Sequence, residues 1–167
     1  KMQIFNTDIH AAYTAVSGMG IDVFGINCNV GPKEMETTVE KLSRFCRHPI
    51  SVVPNAGQPI SEDGQTCYKL SPEDMANAME PFVREHGVAI VGGCCGTTPA
   101  HIKALREKLN GVVPALRQPD EKIYVSGPQE VSAIDSSKGL LRIGERLNVR
   151  GSKLVQEAVE SEGEISM

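Results

Sequence analysis

The sequence predicts an α/β fold made of repeated strand–helix units with parallel strands. Short apolar runs stand at 22–27, 50–53 and 88–91. They are largely continuous rather than alternating, as expected of parallel strands covered on both faces. Each is followed by Gly, Pro or Asn and then by a helical pattern.

The elements follow in order. Thr7 or Asp8 can cap a first helix with Ile9, Tyr13 and Val16 on one face, and Ser17-Gly18-Met19-Gly20 ends it. After the first strand, Pro32 opens a second helix with Met35, Val39, Leu42 and Phe45 at helical spacing. After the second strand, 61–68 reads as a loop. Ser71-Pro72-Glu73-Asp74 then starts a third helix: serine as N-cap, proline at the first position, acids at the positive end of the dipole. Its stripe is Met75, Met79, Phe82 and Val83, a core face. After the third strand, Thr98-Pro99 opens a fourth helix with Ile102, Leu105 and Leu109.

Helix, then strand–helix three times, fits a doubly wound sheet or part of a (β/α)8 barrel, since a whole barrel takes eight strands and about 250 residues. Beyond this the pattern changes. Pro114, Pro119, Gly127, Pro128 and several serines give weak periodicity, the composition of a linker over 111–139. A strand candidate at 140–143 and a helix capped by Ser152, with Leu154, Val155, Ala158 and Val159, start a second unit over 140–167. One strand and one helix cannot build a core alone.

Composition excludes several classes of function. The 167 residues carry 17 basic and 21 acidic side chains, a formal charge of −4, whereas a nucleic-acid binder needs a basic face. No apolar run approaches the roughly 20 residues of a membrane span, and the opening Lys1-Met2-Gln3 is no signal peptide. Five cysteines at irregular spacing are not the even framework of a stapled secreted domain, so a reducing, cytoplasmic compartment is expected.

Cys28 ends the first strand, and Cys94 and Cys95 end the third inside Gly92-Gly93-Cys94-Cys95-Gly96. In parallel β/α folds the carboxyl ends of the strands share one face, where sites are built. Adjacent cysteines can serve one ion only where the chain leaves strand geometry, and the flanking glycines allow that. Thiolates favour zinc, and three protein ligands leave the open fourth position of a catalytic site. Such a site suits holding a substrate thiol as its thiolate for S-alkylation. Spacing alone also allows incidental buried cysteines, or a small cytosolic zinc-binding or thiol-redox module using Cys94-Cys95. Cys46 and Cys67 read as bystanders, and His101 as an exposed first-turn residue. Asn27 and Asn55, at strand ends, could contact substrate or tie down turns. Glu145 and Asn148 could meet a heterocycle's donor–acceptor edge or simply cap a helix.

Gly25-Ile26-Asn27-Cys28, Pro54-Asn55-Ala56-Gly57 and Gly92-Gly93-Cys94-Cys95-Gly96-Thr97-Thr98-Pro99 together resemble the zinc-binding homocysteine S-methyltransferase family over about residues 1–110. The resemblance implies the last three β/α units of a (β/α)8 barrel, with Cys28, Cys94 and Cys95 on zinc and the homocysteine sulfur in the open position. Asn27 and Asn55 become substrate-side contacts. Ile143-Gly144-Glu145-Arg146-Leu147-Asn148-Val149-Arg150-Gly151-Ser152-Lys153 is similar to the opening of a pterin-binding, methyltetrahydrofolate domain, itself a barrel, with Glu145 and Asn148 at pterin-contact positions. That order is the one found in cobalamin-dependent methionine synthases. It implies a methyl group passing from methyltetrahydrofolate to homocysteine through methylcobalamin, on a cobalamin-binding domain absent here. The remaining barrel strands and domains are absent too, so the isolated chain is expected to be inactive.

Overall fold

A computed structural model describes residues 6–135 together with 137, 139, 140, 153 and 157. Two units are distinguished, 1–134 and 135–167.

The first unit runs α1 (Ile9–Ser17), β1 (Phe24–Asn27), α2 (Pro32–Phe45), β2 (Ile50–Val53), β3 (Ile60–Glu62), β4 (Gln65–Cys67), α3 (Pro72–Arg84), β5 (Ile90–Val91), α4 (Pro99–Lys108), β6 (Ile123–Ser126) and β7 (Val131–Ile134). The four expected helices and three expected strands are all present. Their starts follow local chemistry: the Asp8 carboxylate accepts from the His10 N–H and the Ser71 hydroxyl from the Asp74 N–H. Pro32, Pro72 and Pro99 stand at the first positions of their helices.

β1, β2 and β5 form a parallel sheet in that order, with Phe24 opposite Ile50 and Ser51 opposite Ile90. One face is fully covered: Ile50 and Val52 pack, without exposure, among Met35, Val39 and Leu42 of α2 and Met75, Met79 and Phe82 of α3. The other face carries Gly25, Asn27, Ser51, Val53 and Ile90, and is half-buried to exposed among the described residues. This corrects the expectation of cover on both faces. The alternation is read from β2, where every second residue faces the helices. Parallel strands with helices on one side and a separate inner face are compatible with part of a barrel.

Two hairpins were not expected. In β3–β4, Asp63 and Gly64 both take positive φ, 50° and 77°, between the facing residues Glu62 and Gln65. This is the two-residue turn that Asp-Gly favours, set in a stretch read as loop. β6–β7 lies within the segment read as linker. Its Ser126 hydroxyl donates to the Ala11 carbonyl (2.9 Å), and the Asp8 N–H donates to the Gln129 carbonyl (2.8 Å), fastening it to α1. Upstream, the Arg117 guanidinium donates to the carbonyls of Cys46 and His48, and the Ala115 N–H to that of Val83. The prolines prevent a helix here, and fixed contacts hold the strap instead.

In the second unit, Lys153 and Glu157 are helical and pair at 3.6 Å, in keeping with a helix after Ser152. Residues 141–143 of the strand expected at 140–143, and the candidates Glu145 and Asn148, lie outside the described residues. No helix among the described residues is long and apolar enough to cross a membrane.

Candidate metal centre

The loops after β1, β2 and β5 meet at the carboxyl end of the sheet. Cys28 follows β1 and donates its N–H to the Val53 carbonyl (2.9 Å), but its φ of +64° is left-handed. A non-glycine residue there costs on the order of 1 kcal/mol, and such strain gathers at functional sites. After β5 the chain leaves strand geometry at Gly92. The Cys94 N–H donates to the Pro54 carbonyl (2.8 Å), and the Cys95 carbonyl accepts from the Ala56 N–H (2.9 Å). The adjacent cysteines are thereby freed from pointing to opposite faces.

The three thiols converge. Cys28 Sγ lies 3.6 Å from Cys95 Sγ, Cys94 Sγ lies 3.8 Å from Cys95 Sγ, and all three fall within 4.8 Å of one another. Tetrahedral zinc with Zn–S bonds of about 2.3 Å separates its sulfurs by about 3.8 Å. Disulfide sulfurs would stand only about 2.05 Å apart, and all three cysteines are free. Among the described residues this is the one group of three or more potential ligand side chains close enough to share an ion. The donor set and its spacing fit zinc.

The electrostatics also favour a cation. The Asn29 backbone N–H, followed by the Cys94 and Cys95 thiols, holds the Cys28 thiol below its ordinary pKa. Hydrogen bonds with Cys28 and Cys95, with a smaller contribution from burial, push the Cys94 thiol up. Sulfurs this close stabilise one thiolate at their neighbours' expense, and only a positive ion favours all three together.

Both asparagines face this cluster. Asn55 is 2 % exposed; its Oδ1 accepts from the Cys95 N–H (3.3 Å), and its own N–H donates to the Val30 carbonyl (3.0 Å) in the loop that follows Cys28. It therefore ties the two ligand loops together. Asn27 Nδ2 points at Cys94 Sγ, 4.0 Å away. Cys46 is buried in the core, and neither it nor Cys67 belongs to the cluster.

His101 is 6 % exposed, which corrects its expected exposure. Its Nδ1 accepts from the Thr98 N–H (3.1 Å), and its Nε2 lies 2.9 Å from the Leu70 carbonyl oxygen. These two bonds bury the ring and anchor the Cys94–Thr98 loop to the segment after β4. A signal was present: His101 holds the third helical position after the N-cap Thr98, where a capping box usually has Glu or Gln. Tyr68 was also missed, because nothing local marks it. Its phenol pKa is raised, first by partial burial and then by hydrogen bonding to Cys95.

A parallel β/α sheet with three converging thiols at its carboxyl rim defines an α/β protein with a candidate thiolate metal site. The profile described as Homocysteine S-methyltransferase matches residues 2–109, and the chain belongs to that family. The chain is 40 % identical over 159 residues to a protein named methionine synthase from Mycobacterium tuberculosis (strain ATCC 25618 / H37Rv), covering 95 % of this chain and 13 % of that protein. It is 38 % identical over 164 residues to one of the same name from Mycobacterium leprae (strain TN), covering 95 % of this chain and 14 % of that protein. The chain thus spans about one-seventh of the length of these relatives.

Proposed function

We propose that this chain forms the zinc- and homocysteine-binding rim of a methionine synthase, with Cys28, Cys94 and Cys95 as the metal ligands. The convergence of three thiols from two loops, at gaps of 3.6 and 3.8 Å, carries the reading. Bound there, zinc would act as the Lewis acid that keeps a substrate thiol deprotonated at neutral pH. Asn55 holds the two ligand loops in register, and Asn27 lends an amide N–H beside Cys94. Either amide also stands where it can meet the substrate.

The finer assignments follow the same reading. Residues 1–110 are the end of a (β/α)8 barrel, followed by a connecting segment over 111–139. Residues 140–167 open a pterin-binding domain, with Glu145 and Asn148 toward methyltetrahydrofolate. The methyl group reaches homocysteine from methylcobalamin on a separate cobalamin-binding domain. Five free cysteines agree with a reducing, cytoplasmic setting. A vicinal redox pair is the weaker reading, since Cys95 lies closer to Cys28 than to Cys94.

X-ray absorption on the zinc-loaded chain tests the proposal. The sulfur count is expected to rise from three to four when homocysteine is added. A metal with no sulfur ligands, or an unchanged count at saturating homocysteine, would refute it. Methyl transfer from methylcobalamin is expected to be negligible for the isolated chain, and turnover matching an intact enzyme would contradict that part.

A further inference from the structure

The peptide plane that joins Cys94 to Cys95 decides whether two adjacent side chains can reach one ion. The plane is rigid, so turning it swings the two Cα–Cβ bonds relative to each other. All four backbone polar groups of these two residues are engaged, which answers the question of where their hydrogen bonds go. Three of them meet the loop after β2. The Cys94 N–H donates to the Pro54 carbonyl (2.8 Å), the Cys95 N–H donates to Asn55 Oδ1 (3.3 Å), and the Cys95 carbonyl accepts from the Ala56 N–H (2.9 Å). The fourth, the Cys94 carbonyl, accepts from Thr97 twice: from its hydroxyl (2.6 Å) and from its N–H (3.1 Å).

Two of these contacts oppose each other across a single plane. The carbonyl and the N–H of a trans peptide point opposite ways, so Thr97 grips one side of the Cys94–Cys95 plane and Asn55 the other. A flip of the plane would break both contacts at once. Two glycines make room for the threonine. Gly96, at a φ of +77°, takes the left-handed value of the third residue of a β-turn and brings Thr97 back over Cys94. Gly93 leaves the space that the Thr97 side chain fills, and a Cβ at 93 would collide with it. With the plane held, Cys94 Sγ and Cys95 Sγ stand 3.8 Å apart on the same side of the chain's exit from the sheet.

We propose that Thr97 is a positioning residue of the metal centre: its hydroxyl, working against Asn55, locks the Cys94–Cys95 peptide in the orientation that lets adjacent thiols share one ion. This rests on the zinc reading above. It divides the work of the segment around the two cysteines: Gly93 leaves room, Gly96 makes the turn, and Thr97 holds the plane.

The test uses the full 167-residue chain and its Thr97→Ser and Thr97→Ala variants. Both variants lose the threonine methyl, so they differ from each other only in the hydroxyl. Zinc affinity is measured by chelator competition, and the geometry of the ligands by the visible absorption of cobalt(II) in place of zinc. Thr97→Ser is expected to stay within about twofold of the unaltered chain, and Thr97→Ala to bind zinc about tenfold more weakly. The cobalt bands of Thr97→Ala should be displaced, and those of Thr97→Ser should not. Equal affinities and spectra in the two variants, whatever the urea midpoint of Thr97→Ala, would overturn the role of the hydroxyl and leave the metal site standing. Amide hydrogen exchange on the metal-free, unaltered chain gives a second reading that needs no variant. The Cys95 N–H should exchange more slowly than an unprotected amide, and exchange at the unprotected rate would overturn the clamp. If the unaltered chain binds no zinc, both proposals fall.

Discussion

Replacing Cys28 by serine removes one sulfur from the rim while changing almost nothing else. Serine has nearly the same volume, and the half-buried position and its left-handed backbone impose the same cost on either residue. The apo fold should therefore keep its stability within about 0.5 kcal/mol. The effect appears on adding metal. With free zinc at 100 times its Kd, binding stabilises the native state by about 2.7 kcal/mol. For a chain of this size, about 3 °C per kcal/mol converts that into a rise in Tm of about 8 °C. The 3.6 Å gap between Cys28 and Cys95 places the missing sulfur inside the coordination polyhedron, so the remaining two thiols cannot substitute for it. Cys28→Ser should bind no zinc at micromolar concentration and show no rise in Tm. The assay is differential scanning fluorimetry with and without zinc, together with metal analysis of the desalted protein. A variant that retains one zinc and the full 8 °C rise (about the value worked above) would show that Cys28 does not share an ion with Cys94 and Cys95.

Asn55→Ala should lower stability by about 1–3 kcal/mol, because the Cys95 N–H loses its acceptor at a nearly buried site, and should weaken zinc binding about tenfold; an unchanged urea midpoint would contradict this. His101→Leu removes both the cap on α4 and the tie to Leu70, and should cost about 2 kcal/mol in urea unfolding, whereas His101→Gln should recover part of the loss. His10 stacks on Phe45 at 3.8 Å, and burial, opposed by Asp120 and Asp8, lowers its pKa below 6.5. The unfolded chain therefore takes up this proton first, so the contribution present above 6.5 is lost as the pH falls through the folded-state value. His10→Gln should flatten this part of the stability profile below about pH 6.5, and parallel wild-type and variant curves would count against it.

Helix positions were legible because their signals are local. Asp8, Ser71, Pro72 and Pro99 sit within a turn of the backbone groups they cap or order, and the stripe Met75–Met79–Phe82 repeats at the period of the helix that buries it. The β3–β4 hairpin was missed: Asp63-Gly64 is a two-residue hairpin signal, but the polar residues flanking it show no strand alternation. The β6–β7 hairpin was not legible, because its two four-residue strands are too short to show a pattern and are held by contacts with α1, distant in the chain. The inner face of the sheet was misread because continuous apolar runs do not say whether both faces are covered.

At the site, the chain alone carries the identity of the three thiols, the glycines that free Cys94 and Cys95 from strand geometry, and the parallel β/α order that sends strand ends to one rim. These follow from side-chain chemistry and short-range backbone preference. Folding adds the distances: the left-handed turn at Cys28, the convergence of the sulfurs, Asn55 bridging the ligand loops, the burial of His101 and the packing of the Tyr68 ring against Gly96. Such contacts join segments that are remote in the chain, and a gap of a few ångströms between them is set by how the whole sheet and its helices pack.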